Sequence, residues 1–215
     1  DLKEIGYFNK RRKQTLQDLF DVFRLCVGEN GSFTTAAYTN GNFRFKLKKK
    51  IFKRMTPSYA GAFPNFLISK KECFRSLHPT NSVIGYGKNL EKIFLNHDHN
   101  SLSYSVMGEI SKLPNSKFLM IGTIDKTNAP QSMHYCQEVL GLTKTHPLRG
   151  LFQIKYFDKN KKIKTYTRKD IGGCSSGGFK LFSYFMIKDI INIGNIGNAN
   201  AVIMNAEEII QETTQ

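Results

Sequence analysis

Phe118-Leu119-Met120-Ile121-Gly122 is a short, continuous apolar run that follows a stretch of helical pattern. A run of this kind after a helix suits a central strand buried on both faces of a sheet. Upstream, Ser105 to Leu113 reads as a helix ending at Pro114; downstream, Ser132 to Leu140 reads as another, closed by Gly141. The rest of the chain extends the alternation. Leu16, Leu19, Phe20 and Phe23 have helical spacing, with Thr15 as N-cap and Gly28 as stop. Residues 42–48 alternate, with Phe43, Phe45 and Leu47 on one strand face and Arg44, Lys46 and Lys48 on the other. Residues 55–68, with Pro57 and Pro64, read as a loop, and short helices are expected near 69–77 and 88–96. Leu151 to Phe157 and Lys162 to Arg168 form a hairpin around Asp158-Lys159-Asn160-Lys161, with Lys162, Lys164 and Arg168 on one face. A helix follows Gly178, residues 192–200 read as a connector, and Val202 to Ile210 ends the ordered part. The expected fold is α/β: one domain over 1–215, a mixed sheet flanked by helices, and a basic β-hairpin.

With 215 residues and 40% hydrophobic content the chain can bury a sizeable core. It starts at Asp1 and is expected to be a fragment or processed form; it shows no secretory leader and no run near the roughly 18–20 apolar residues of a membrane span. Cys26, Cys73, Cys136 and Cys174 lack short C-x-x-C spacing and read as reduced thiols in a cytosolic setting. The formal charge of +15 calls for an anionic partner: nucleic acid, anionic lipid or a small polyphosphate.

Cys174 stands apart from the other cysteines. It sits in Gly172-Gly173-Cys174-Ser175-Ser176-Gly177-Gly178, a turn in which backbone amides are free to face an oxyanion. A helix N-terminus follows and cations are close, and both favour thiolate. The same segment also reads as a flexible Gly/Ser turn that holds a cysteine. A thiol nucleophile needs a base. His78 and His146 each precede a proline and look like turn residues, and His97-Asp98-His99 reads as a solvated loop before it reads as a metal site. His134 follows the apolar run, where side chains of α/β sheets converge on ligands. On spacing alone it reads more readily as a helix-surface histidine with Glu138 one turn away.

A strand, a histidine after it and then Ile171-Gly172-Gly173-Cys174-Ser175 resembles the order in the inositol-phosphate-activated cysteine protease domains of large bacterial toxins and their type III effector relatives. The resemblance implies a caspase-like sheet and a His134–Cys174 dyad that cleaves a host protein. It also implies secretion into host cytoplasm and activation by host inositol hexakisphosphate. Asp125 is then a candidate to orient His134, and Arg44, Lys46, Lys48, Lys162, Lys164 and Arg168 are candidates to hold the polyanion. The sequence departs from that pattern at Met133-His134-Tyr135, where the toxins carry glycines, and in placing the histidine some residues past the strand. A Cys–His acyltransferase or glutamine deamidase uses the same thioester chemistry. A non-enzymatic nucleic-acid-binding protein is permitted by the charge, but no nucleic-acid motif is present. The chain is expected to act as a monomer.

Overall fold

The computed structural model describes residues 5–6, 12–39, 42–43, 50–123, 130–142, 152–168 and 178–215. In chain order the elements are α1 (Arg12–Val27), β1 (Ser32–Ala36), β2 (Asn42–Phe43), α2 (Ala62–Ile68), β3 (Phe74–Arg75), β4 (Val83–Gly87), α3 (Leu90–Leu95) and α4 (Ser105–Ser111). There follow β5 (Lys117–Ile121), α5 (Gln131–Val139), β6 (Phe152–Phe157), β7 (Ile163–Thr167), α6 (Gly178–Ile187), β8 (Ile191–Ile196), β9 (Ala199–Asn205) and α7 (Ala206–Thr214). They divide into two compact units. Unit 1 comprises Asp1–Phe8, Tyr104–Lys144 and Gly172–Gln215, and unit 2 comprises Asn9–Ser103 and Thr145–Ile171.

In unit 2 the helical spacing of the N-terminal stretch is realised as α1, which buries Leu16 and Phe20. It begins inside the basic cluster rather than at Thr15, which is a buried residue of its first turns. Gly28 ends it at φ 67, its N–H bonding back to Arg24 O. Phe20 packs edge-on against Phe33, Phe66 and Tyr86, over an antiparallel sheet of order β1-β4-β3. Two local expectations fail here. Residues 62–68 are helical because Pro64 lies in the first turn of α2, where its missing N–H has no intrahelical acceptor to lose. Within 69–77, Phe74–Arg75 pairs with β4.

Arg75 explains that pairing. Its guanidinium is buried and donates to Ser82 Oγ (3.1 Å), Ala37 O (2.7 Å), Thr39 Oγ1 (3.0 Å), Arg54 O (2.9 Å) and Thr56 O. It also lies 5.1 Å from the Phe52 ring centroid. Burial, helped by the nearby Arg54, lowers its pKa to about 10, which still leaves the side chain charged at neutral pH. One side chain thus ties β1, β3, β4 and the 54–56 turn together.

The second sheet of unit 2, β2-β6-β7, contains the expected hairpin. Asp158 Oδ1 accepts from the N–H groups of Asn160 and Lys162 and so closes the turn. Ile154 pairs with Tyr166, and both are buried against Phe52. Lys164 and Arg168 have the parity of Tyr166, so the expected basic row shares its face with a core residue. Lys162 and Lys164 stay exposed beyond the end of that core, while Arg168 is half-buried.

In unit 1, β5, β9 and β8 form an antiparallel sheet in the order β5-β9-β8. The run at 118–122 is therefore an edge strand among the described residues, with Leu119 41% exposed. The apolar run needed its second covered face for the reading of a central strand, and only Phe118 and Met120 face the core. Residues 192–200 are no connector. Ile196 pairs with Ala199 across a two-residue turn at Gly197-Asn198, with Gly197 at φ 58. Phe182 and Phe185 of α6 join Ile191, Val202, Met204 and Ile209 in the core.

All three sheets are antiparallel; one isolated parallel bridge joins Ile51 and Lys155. The α/β class stands, and a caspase-like sheet does not: the described strands form three separate three-stranded sheets. No helix among the described residues is long and apolar enough to cross a membrane.

Candidate functional site around His134

Pro130 precedes α5 with extended ψ and pre-sets its first turn, so His134 comes one turn into the helix. The 3.6-residue period puts Gln137 and Glu138 on the same helix face as His134. His134 Nδ1–H donates to Gln137 Oε1 at 3.3 Å. This assignment follows from the acceptor-only oxygen, and it leaves the lone pair on Nε2. The imidazole, half-buried, stacks on Tyr104 at 4.9 Å between centroids and 30° between planes. Tyr104 is itself anchored, since its N–H donates to Glu138 Oε2 at 2.8 Å. Glu138 thus clamps the Tyr104 backbone.

The far side of α5 is fixed by packing. Met133 and Cys136 are buried, Thr213 Oγ1 lies 3.9 Å from Met133 Sδ, and Cys136 Sγ lies 3.9 Å from Ile210 O. Tyr135 fills the space above Gly108 on α4. His134 is therefore a histidine of one tautomer on a helix packed between α4 and α7. A base that must take a proton at one defined nitrogen is held in this way.

Of the other sequence candidates, Asp125, Cys174, Arg44, Lys46 and Lys48 lie outside the described residues. Cys73 and Cys136 are free and buried, and desolvation raises each thiol to about 11, far from a thiolate at neutral pH. Cys26 is free and exposed. Gln137 and Tyr104 were missed by sequence reasoning. The i+3 spacing from His134 was a signal for Gln137; Tyr104, thirty residues upstream, had none.

The remaining described histidines form a structural cluster in unit 2. His78 is fully buried, not a surface turn residue. Its Nδ1 accepts from Asn81 N–H at 2.9 Å, so Nε2–H donates to Tyr166 Oη at 3.3 Å. His97 stacks on it at 4.9 Å, with Nδ1 3.0 Å from Ser76 Oγ. Burial pushes His97 down to about 4, against weaker upward pulls from the Ser103 and Leu102 backbone and Asp98. His99 packs on Tyr156, 4.6 Å between centroids. Among the described residues no group of three or more His, Cys, Asp or Glu side chains is placed to hold a metal ion.

Comparison with known proteins identifies the family. The family model for aminoglycoside 3-N-acetyltransferase matches residues 1–215. No curated protein sequence matches the chain. Among solved structures, the apoenzyme of aminoglycoside acetyltransferase AAC(3)-IVa superposes with a TM-score of 0.76 at 13% identity, covering 100% of this chain and 77% of that one. AAC-IIIb in a binary complex with CoASH gives 0.74 at 16% identity, covering 99% and 85%. YokD from Bacillus subtilis gives 0.68 at 18% identity, covering 99% and 87%.

These matches overturn the resemblance to toxin protease domains and, with it, the thiol protease that cleaves a host protein. Inositol hexakisphosphate as activator falls for the same reason, since the ligand named in a matching structure is coenzyme A. That resemblance rests on the order of one strand, one histidine and one Gly-flanked cysteine, which unrelated folds share. The acyl-transfer alternative lies closer to what was found. The chain belongs to the aminoglycoside 3-N-acetyltransferase family.

Proposed function

We propose that this protein transfers the acetyl group of acetyl-CoA to a primary amine of an amino-sugar acceptor, with His134 as general base. The observation that carries this reading is the fixed His134 tautomer: Gln137 holds Nδ1–H and Tyr104 supports the ring, which directs basicity to Nε2. The acetyl thioester of coenzyme A is already activated, so no enzyme nucleophile is required. His134 Nε2 takes a proton from the acceptor nitrogen as the N–C bond forms, then returns it to the departing sulfur. Tyr104, clamped by Glu138, keeps the imidazole from rotating away. The phosphates of coenzyme A suit a chain with a formal charge of +15.

General-base removal costs about 10²–10⁴-fold in rate. His134→Ala is expected to lower kcat at least about a hundredfold, measured as thiol release from acetyl-CoA, while coenzyme A still raises the Tm. Activity within tenfold of the parent would remove His134 from the chemistry.

A further inference from the structure

The sheet of unit 1 ends on a strand without charge. β8 lies at one end of the order β5-β9-β8. From Ile190 to Ala206 the chain has no charged residue and no proline, although 23% of all its residues are charged. Natural sheets guard their edges with lysine, proline, a bulge or a covering loop. β5, at the other end, has Lys117 in solvent. β8 has none of these guards among the described residues. Its six pairs with β9 run without a bulge, and Asn192, Ile193, Gly194 and Asn195 are all exposed. A side chain at Gly194 would meet open space.

Both faces beside this edge are apolar. Ile193 pairs with Val202 and so points to the core side of the sheet, yet it is 55% exposed while Val202 is fully buried. On the opposite face Ile203 pairs with Leu119, each 41% exposed, and with Asn192 of β8. An edge strand also directs every second backbone N–H and C=O away from its neighbour. Charge and symmetry set the partner that fits. Segment 190–206 offers an acidic or basic partner no charge to pair with. An uncharged strand fits it, and the chain supplies one in β8 itself, because antiparallel pairing about a two-fold axis is self-complementary. Unit 1 holds 7 of the 32 lysines and arginines and 9 of the 17 acidic residues, a net −2, so a second copy is not repelled by it.

We propose that β8 is the contact between two copies of this chain, pairing antiparallel with its own counterpart about a two-fold axis at Ile193, in place of the expected monomer. The three-stranded sheet becomes a continuous six-stranded one. Ile193 then faces Ile193 of the partner subunit, and side chains directly opposite in such a ladder have Cβ atoms about 4.5–5.5 Å apart. The outward backbone groups of β8 find partners, and Ile193 leaves water. The contact uses unit 1 alone and does not depend on the acetyl-transfer reading. One strand pairing is small beside the about 1,200–2,000 Å² of a stable interface, so the dimer is reversible and sensitive to concentration. The net charge of +15 on each copy opposes it at long range, and salt relieves that opposition.

Sedimentation velocity of the full chain from about 2 to about 200 µM, at about 300 mM salt, is the test. The mean mass should rise toward twice the monomer mass and no further, and salt of about 20 mM should weaken the association. Ile193→Lys sets two ammonium groups opposite each other and should weaken the dimer about tenfold or more. Leu25→Lys, at an 83% exposed apolar position on α1 of unit 2, should leave it unchanged. Amide exchange at 192–195 of the parent should be slower at about 200 µM than at about 2 µM, a reading that needs no variant to fold. A monomer throughout, growth past the dimer, or a dimer that tightens at low salt overturns the inference. So does a dimer that survives Ile193→Lys or is lost with Leu25→Lys, and so does exchange at 192–195 that ignores concentration.

Discussion

Three histidines have different physical fates. His134 is half-buried with Gln137 Oε1 on its Nδ1, whereas His78 and His97 are stacked in a core with hydroxyl and backbone partners. For His97 the consequence is a pH-dependent stability. Its ordinary value is 6.5 and its folded value about 4, so folding favours the neutral ring. The stabilisation is complete above about pH 6.5 and is lost as pH falls through about 4, because the unfolded chain takes up the proton first. The loss amounts to about 3 kcal/mol. Urea unfolding at pH 7.5 and pH 4 should show it, and His97→Gln should flatten the dependence; an unchanged slope in that variant would assign the effect to other groups. The sequence placed His78 at a Pro turn correctly as to conformation but missed its burial. Proximity to Tyr166, eighty-eight residues away, is not written in local spacing.

At the scale of elements, α5 carries the proposed base His134, and its partner helices decide where it sits. Gly108 on α4 leaves room for the Tyr135 ring, and a methyl group there would overlap Tyr135 Cζ and Oη. Gly108→Ala raises helix propensity by about 1 kcal/mol, yet displacing the ring should make it destabilising by about 1–3 kcal/mol. In a Tyr135→Leu background the same substitution should become neutral or stabilising in chemical denaturation, and equal losses in both backgrounds would rule out the ring contact as the cause. Helices were legible wherever apolar spacing and a terminator coincided, as in α1, α5 and α6. The loop expected over 55–68 failed because proline was read as a breaker when it occupies a first turn. The connector expected at 192–200 failed because Asn and Gly masked a β-hairpin, whose apolar positions at Ile191 and Ile193 meet Met204 and Val202.

For the whole molecule, the decisive matter is where catalytic power resides. On the direct-transfer reading proposed above, Cys174 has no chemical task, so Cys174→Ala should keep kcat within about threefold, with no burst phase in either protein. A large drop in kcat, with a covalent acetyl adduct on the parent found by intact mass, would restore an acyl-enzyme. By itself the sequence determined the α/β class, the hairpin at 151–168, the helix that carries His134 and the excess of positive charge, because each depends on residues close in the chain or on composition alone. Tertiary structure decided the rest. It made Phe118–Ile121 an edge strand among the described residues, buried His78 and His97 together, seated the Arg75 guanidinium on three carbonyls from two segments, and set Tyr104 beneath the His134 ring. Those arrangements join residues tens of positions apart, and only packing, with the need to satisfy each buried polar group, selects them.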